Sequence, residues 1–551
     1  MAANCACSSK DRDVTTATSA GWDYIIVGAG SADCVLANRL SADPSVRVLL
    51  LEAGGKNNSL DIRIPAGIVS ALFKEQYNWS YPALPDPTRG DKVDSWSGGR
   101  GLGGSSSING MLYIRGARAD FDGWRDLGCT GWDYDAVLPH FRAIETFEGG
   151  ADAHRGGDGP LSVSFPATKP KLVDTWINAA QACGHPYNPD YNGAEAMGVG
   201  VSQASIKGGR RHSAAEAFLK PVMGRSNLHV QTDSQASKIL FEEGRAVGVE
   251  YYRNGACEEV RCCAEVIVCS GAIGSPKLLM HSGIGPWKTL AEHGIPLLKQ
   301  IDAVGENLME HPAIYVKAFT SLPSFNRAGR AYRAPFVLLD WLLRGKGAAA
   351  VGTAIAQLLA GPTKEQKAPD TQILLSLVNF ELKPGGDGVA LSRRDGFSMA
   401  CCLMTPKSRG RVTITSSDPL AKPMVEHTML ENEEDIEMLA LAGRQALEIL
   451  GAEPLKTHIE EIDFPLQADS TTEDWHAYVR EAAFRADHPS GTCRMGADDA
   501  SVVDPRLRVR GVDGLRVVDA SIMPVIPRAN TNAAVMMIAD KAAAMISEDR
   551  R

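Results

Sequence analysis

Short apolar runs, each closed by glycine or by charge, set the landmarks of this chain. Residues 22–55 read WDYIIVGAGSADCVLANRLSADPSVRVLLLEAGG. The run Tyr24–Val27 predicts a strand, the glycines behind it a tight turn, the next stretch a helix, and the run closing at Glu52 a second strand. That βαβ order implies a parallel sheet of the kind a dinucleotide site requires. Two later runs, Glu265–Cys269 and Leu515–Val518, read as further buried strands, one mid-chain and one near the end. A nucleotide-binding region assembled from them is discontinuous. From Ala313 to Arg480, amphipathic segments alternate with polar loops such as 382–388 and carry no nucleotide signature, which assigns them to a second domain. The most apolar stretch, Gly347–Gly361, contains Thr353 and Gln357 and is shorter than the ~20 residues that span a bilayer. It predicts a buried helix.

Size and charge narrow the class. At ~100–200 residues per domain, 551 residues are too many for one simple core. The 57 Lys and Arg against 66 Asp and Glu leave a net charge of -9 without a long run of either sign, which argues against nucleic acid as a partner. Twelve scattered cysteines include no C-x-x-C pair, so neither a zinc site nor a disulfide framework is implied. A reducing, cytoplasmic compartment fits, with peripheral contact to a membrane left open. The first twenty residues are polar, lack the apolar core of a secretory signal and read as a disordered tail.

Three glycine-rich motifs carry the chemistry. In Gly28-Ala29-Gly30-Ser31-Ala32-Asp33, Gly28 permits a sharp turn, and Gly30 lets backbone N–H groups approach a pyrophosphate at a helix N-terminus. Glu52, at the end of the second strand, is placed to accept hydrogen bonds from a ribose. Asp33 departs from the pattern. A small residue there lets helix and strand pack closely, whereas an acid adds negative charge beside the phosphates and is expected to weaken cofactor binding. The second motif runs from Gly99 to Gly116, and its Gly103, Gly104, Ser105 and Ser106 suit a loop wrapped around a polyanionic or heteroaromatic ligand. The third, Ser270–Pro286, follows a strand and opens an apparent helix.

Those motifs in that order, with VGENLMEHP (304–312), HPSGTCRMG (488–496) and VVDASIMPVIPRANTNAAVMMIADKAA (517–543), resemble the glucose-methanol-choline (GMC) family of FAD-dependent oxidoreductases. The likeness extends over residues 22–546. It implies an α/β fold with a discontinuous, Rossmann-like parallel-sheet FAD-binding domain (21–160, 205–312 and 485–551). A smaller α+β substrate-binding domain (161–204 and 313–484) would lie over the flavin. As cofactor-binding residues the resemblance implies Gly28, Gly30, Ser31, Ala32, Glu52, Ala53, Gly103, Gly104, Ser105, Asn109, Gly110, Asp519, Ala520, Asn530 and Thr531. Some members carry a histidine bonded covalently to FAD; Ile108 stands at that position, so non-covalent FAD is expected. No metal belongs to this picture.

Oxidising an alcohol removes a hydroxyl proton and a carbon-bound hydride, and hydride leaves far more readily from an alkoxide. A base beside the flavin is therefore required, and histidine suits the task because its pKa lies near neutrality. By resemblance that base is His488, with Asn530 as its partner, able to donate to the substrate oxygen. The helix that starts near Ala533 would aim its N-terminus at the flavin pyrimidine. His311 reads as structural, and Arg528 as contacting either an anionic substrate group or a carboxylate elsewhere.

The expected reaction is oxidation of a primary alcohol to the aldehyde, with hydride passing to flavin N5 and electrons on to oxygen or a quinone-like acceptor. A hydroxynitrile lyase, which shares fold and histidine, stays open at this point, as does a poorly flavinated binding protein. A fatty acid photodecarboxylase is disfavoured, since Ala354 and Leu374 stand where that branch carries cysteine and arginine.

Overall fold

Residues 24–27 of strand β1 (Trp22–Val27) and all four of β2 (Val48–Leu51) are buried, as strands covered on both faces of a parallel sheet must be. Burying each such Ile, Val or Leu stabilises the fold by about 1.5–3 kcal/mol. The structure, a computed structural model, describes residues 21–363, 366–382, 389–467 and 469–550; the N-terminal twenty residues and most of the polar loop 382–388 lie outside the described residues. Between β1 and β2 runs helix α1 (Ser31–Leu40).

β1 pairs in parallel with β2 on one side and with the long strand β3 (Ala256–Val268) on the other, and β3 pairs in parallel with β4 (Leu515–Val517). The register aligns Val27 with both Leu51 and Val268, and Val268 with Val517. Four strands drawn from three distant parts of the chain thus end at one level, delivering Gly28, Glu52, Ser270 and Asp519 to the same edge. That carboxyl edge is where open α/β sheets bind ligands. The strand Leu228–Gln231 extends the sheet beyond β2, and Arg245–Arg253 pairs antiparallel with the first half of β3.

A second sheet is antiparallel throughout. Its order is Ile459–Asp463, Pro312–Thr320, Gly396–Leu403, Thr371–Ser376, Ala356–Ala360, Gly198–Val201. Helices Glu433–Gly451 and Lys171–Ala182 pack on its back, where Ile373 and Leu375 are fully buried. The alternating residues Leu374 and Ser376 face a cavity between the two sheets, as the two-residue repeat of a strand dictates.

The apolar stretch 347–361 is not the expected helix. It forms a short turn at Ala348–Ala350 and then the buried strand Ala356–Ala360. A short run with both faces covered suits strand and helix equally, and tertiary pairing decides between them. Between the turn and the strand, Gly352 lies against the Gly110 carbonyl, 2.9 Å from where a Cβ would sit. After this region the chain forms its last long element. Two helices matter below: α2 (Ala334–Arg344), on the surface, and the C-terminal α3 (Asn532–Asp549).

Candidate active site

A cavity of about 930 Å³ runs from the glycine turn after β1 to the second sheet, near the upper end of the ~300–1,000 Å³ usual for small-molecule sites. At the first end, Gly28 has φ +120°, and a Cβ added to it would lie 2.8 Å from the Cys269 carbonyl. A Cβ on Gly104 would lie 2.6 Å from the Cα of Gly30. Only glycines bring the two loops this close, which leaves backbone exposed to a ligand. Ser31 Oγ donates to Asn532 Oδ1 at 2.7 Å, so the N-terminal ends of α1 and α3 are pinned side by side at the cavity wall. Two helix N-termini there favour negative charge on the ligand.

Glu52 is used differently from the sequence expectation. Its carboxylate accepts from three backbone N–H groups, Ala29 at 2.8 Å, Gly54 at 2.7 Å and Gly101 at 2.8 Å, tying the first and second glycine loops together. It also faces the cavity, and its carboxylate has acceptor capacity left for a ribose hydroxyl. Asp519 likewise works within the chain. It accepts from Gly271 N–H at 2.9 Å, from Ser275 Oγ at 2.5 Å and from Ser521 N–H at 2.7 Å, fixing the third glycine motif to the C-terminal segment. Gly103 does not reach the cavity wall; its N–H donates to Ala29 O at 2.7 Å, so it supports Gly104 from behind. The other sequence-derived cofactor residues all lie on the wall.

Asp33 points back over the glycine turn and faces the cavity, 1% exposed, and its Oδ1 has no hydrogen-bond partner. Burial, reinforced by Glu52 and Asp519, pushes its carboxyl well above the usual range. The neutral form is therefore favoured, and it can donate a hydrogen bond that an ionised carboxylate cannot. This tempers the expectation that Asp33 opposes the phosphates.

At the other end stand His488 and Asn530, brought together from separate motifs, with Asn530 Nδ2 at 3.0 Å from His488 Nε2. Asn530 Oδ1 accepts from Gln372, 3.4 Å away, which directs the amide N–H₂ toward the imidazole. This network assigns the lone pair to Nε2 and the proton to Nδ1. Nδ1–H then donates to His311 Nδ1 at 3.0 Å, so His311 lies directly behind the expected base. Burial lowers His488 to about 4, against an opposing pull from Asp487, and lowers His311 well below its usual value. Both rings are neutral at physiological pH. Glu310 holds the pair in place by accepting from the backbone N–H groups of His488 and His311. Three aromatic rings share this part of the wall: Tyr315 stacks on Phe484 at 4.3 Å and meets Phe380 edge-on at 5.2 Å.

Sequence reasoning missed Glu310, Gln372 and the His311–His488 contact, for which no linear spacing is a signal. It also missed Arg211, which is buried and donates to Asn109 O at 2.7 Å and Asn109 Oδ1 at 2.9 Å, locking the second glycine loop. Burial brings that guanidinium down to about 9. Arg528 resolves to the second of its two readings: it pairs with Asp120 at 2.6 Å and Asp370 at 3.3 Å.

The site therefore couples a glycine-made cradle for a dinucleotide to a neutral histidine and an amide donor at the far end of one cavity. Comparisons with known proteins agree. The GMC oxidoreductase family models match residues 22–313 and 406–539. The chain is 38% identical over 540 residues to the mitochondrial choline dehydrogenase of Homo sapiens, covering 95% of this chain and 89% of that protein. It is 37% identical over 534 residues to an alcohol dehydrogenase [acceptor] of Pseudomonas putida, covering 95% of each. Pyridoxine 4-oxidase from Mesorbium loti superposes with a TM-score of 0.86 at 30% identity, over 95% of this chain and 99% of that one. With fold, glycine cradle and family models in agreement, this chain belongs to the GMC oxidoreductases, enzymes that use FAD to oxidise CH–OH groups.

Proposed function

We propose that the protein oxidises a primary alcohol to its aldehyde, with His488 as the base, Asn530 holding the substrate oxygen and FAD bound non-covalently. The 3.0 Å contact between Asn530 Nδ2 and His488 Nε2, on the wall of the cavity that begins at the glycine cradle, carries this reading. A neutral imidazole with its lone pair on Nε2 takes the hydroxyl proton and leaves an alkoxide. His311 Nδ1, accepting from His488 Nδ1–H, keeps the ring in the required tautomer. The substrate hydroxyl displaces the Asn530 N–H from Nε2, and the freed amide N–H₂ donates to the same substrate oxygen, fixing it in near-attack geometry. Bound FAD supplies the hydride acceptor. The N-terminal end of α3, lining the cavity through Thr531 and Asn532, stabilises negative charge at that end.

The aromatic corner of Tyr315, Phe380 and Phe484 supports an apolar or aromatic alcohol. The carboxylate next to the base in the chain, Asp487, is already engaged by Arg485 at 2.5 Å. A cage for a quaternary ammonium would need aromatic or acidic side chains on the wall, and while Phe380 lines the cavity, Trp341, Phe336 and Glu381 do not. We assign FAD to segments 21–160, 205–312 and 485–551 and the alcohol to 161–204 and 313–484, a division supported by the strand ends that meet at Gly28, Glu52 and Asp519. Cys34, Cys269, Cys401, Cys402 and Cys493, buried and unbridged, support a reducing compartment.

The test is anaerobic. Aliphatic, aromatic and choline alcohols are added to the purified protein while its ~450 nm flavin band is followed. Bleaching by an aliphatic or aromatic alcohol supports the proposal, and readmitted air then separates oxygen from a quinone-like acceptor. Bleaching by choline alone would overturn the apolar assignment. A flavin that no alcohol bleaches would overturn the reaction itself.

A further inference from the structure

Helix α2 is built the wrong way round for a surface facing water. Its Trp341 is buried, with Nε1 donating to Gly209 O at 2.7 Å, and packs with Ala349, Ala350 and Ile64. Phe336, Leu338, Leu339, Leu342 and Leu343 are exposed instead, Phe336 by 71% and Leu343 by 75%. At 3.6 residues per turn these five side chains fall within one arc of about 160°. Surface helices of water-soluble proteins turn such an arc inward, and a patch of this kind marks an interaction site.

Charge says what covers it. Between residues 327 and 346 the chain carries Arg327, Arg330, Arg333, Arg344 and Lys346 against a single acid, Asp340, although the whole protein has a net charge of -9. Arg330 and Arg333 stand before the helix, and Arg344 and Lys346 at its end, so cations bracket the apolar arc. Asp340 pairs with Arg344 and Asp395 with Arg327; among the described residues no carboxylate pairs with Arg330, Arg333 or Lys346. Two copies meeting face to face across α2 would bring these same cations together, whereas an anionic surface neutralises them.

We propose that α2 docks on an anionic lipid bilayer, its leucines and Phe336 in the boundary between headgroups and acyl chains and its flanking cations on lipid phosphates. The cavity also reaches the surface beside α2. Val337 on the flank of α2 lines it together with Val69 and Phe73, which are themselves half exposed. Docked this way, the protein opens its cavity to the membrane, and an apolar molecule dissolved there reaches it without crossing water. The docking goes beyond the proposed reaction and holds whichever alcohol is oxidised.

Flotation of the full, FAD-loaded chain with vesicles tests this. Wild type is expected to float with phosphatidylcholine vesicles that contain phosphatidylglycerol, and to float less with pure phosphatidylcholine or in high salt. Phe336→Ser with Leu339→Ser and Leu343→Ser should bind at least ten-fold more weakly, and Arg330→Glu with Arg333→Glu should lose the preference for anionic vesicles. These side chains are solvent-facing, so melting temperature and flavin spectrum should match wild type and certify folding. A wild type that fails to float, or a triple variant that floats equally well, would overturn the proposal. So would a wild-type dimer, indifferent to vesicles, that the triple variant makes monomeric. No readout uses turnover, so failure here is distinguishable from failure of the proposed reaction.

Discussion

The two ends of the cavity solve one electrostatic problem with different materials. At the nucleotide end the wall is opened by Gly28, Gly30 and Gly104, and its carboxyls are Asp33, Glu52 and Asp519. At the substrate end the key group on the wall is the imidazole of His488, backed by His311. Burial pushes all three carboxyls up and both imidazoles down. Each shift disfavours charge, since a low-dielectric site penalises whichever form is ionised. The consequences diverge. Backbone and hydroxyl donors hold Glu52 and Asp519 in place and only Asp33 keeps an unpartnered oxygen there, whereas a low imidazole pKa makes His488 available as a base.

The strongest break in this comparison comes from removing the base. His488→Ala should slow anaerobic flavin reduction by about 10³-fold, ~4 kcal/mol on the barrier, while FAD stays bound. Stopped-flow traces at 450 nm read the rate, and unchanged reduction would refute the assignment. In wild type the rate should be level from about pH 6 upward, falling only toward the His488 value of about 4. Protonation below that value removes the lone pair, so acid inhibits and alkali does not.

Next comes the amide. Asn530→Ala should lower the same rate by about 10²-fold, the scale of losing one preorganised donor to a reacting oxygen. Retention of more than half the wild-type rate would leave Asn530 without a role in the chemistry.

A third change separates the ends. Gly28→Ala puts a Cβ 2.8 Å from Cys269 O at φ +120°, a strain of about 1–3 kcal/mol, so FAD affinity of the apoprotein should fall some ten-fold or more. Whatever flavin remains should be reduced at the wild-type rate, because the substrate end is untouched. Titration of apoprotein with FAD, followed by flavin fluorescence, measures both the loss and the remaining load.

The smallest effect sharpens the role of Asp33. With its carboxyl held above the usual range, rising pH ionises it beside the phosphates, and FAD affinity should weaken a few-fold as it does so. Asp33→Asn keeps the shape without the titration, so that weakening should vanish. An identical pH dependence in the variant would show that Asp33 plays no part.

Much of the fold was legible in one dimension because its signals are local. A buried parallel strand is a short continuous apolar run, and β1, β2 and β4 stand close to where such runs predict them. Glycines at Gly28 and Gly104 announce close backbone approaches that other residues would block. The stretch 347–361 misled for a related reason: an apolar run covered on all sides loses the periodicity that separates helix from strand. Gly103 misled because motif position alone does not tell a glycine that faces the ligand from one that props its neighbour.

By itself, the sequence determined the βαβ cradle, the family and the residue types needed to oxidise an alcohol, because each rests on spacing within a segment. Only the tertiary structure decided that Glu52 binds two loops together, that His311 backs His488, that Arg528 is spent on Asp120 and Asp370, and that α2 turns its leucines outward. Those facts concern groups dozens to hundreds of residues apart, or the choice of which helix face meets the core. The pattern along a chain records which faces are apolar; packing alone decides what each of them meets.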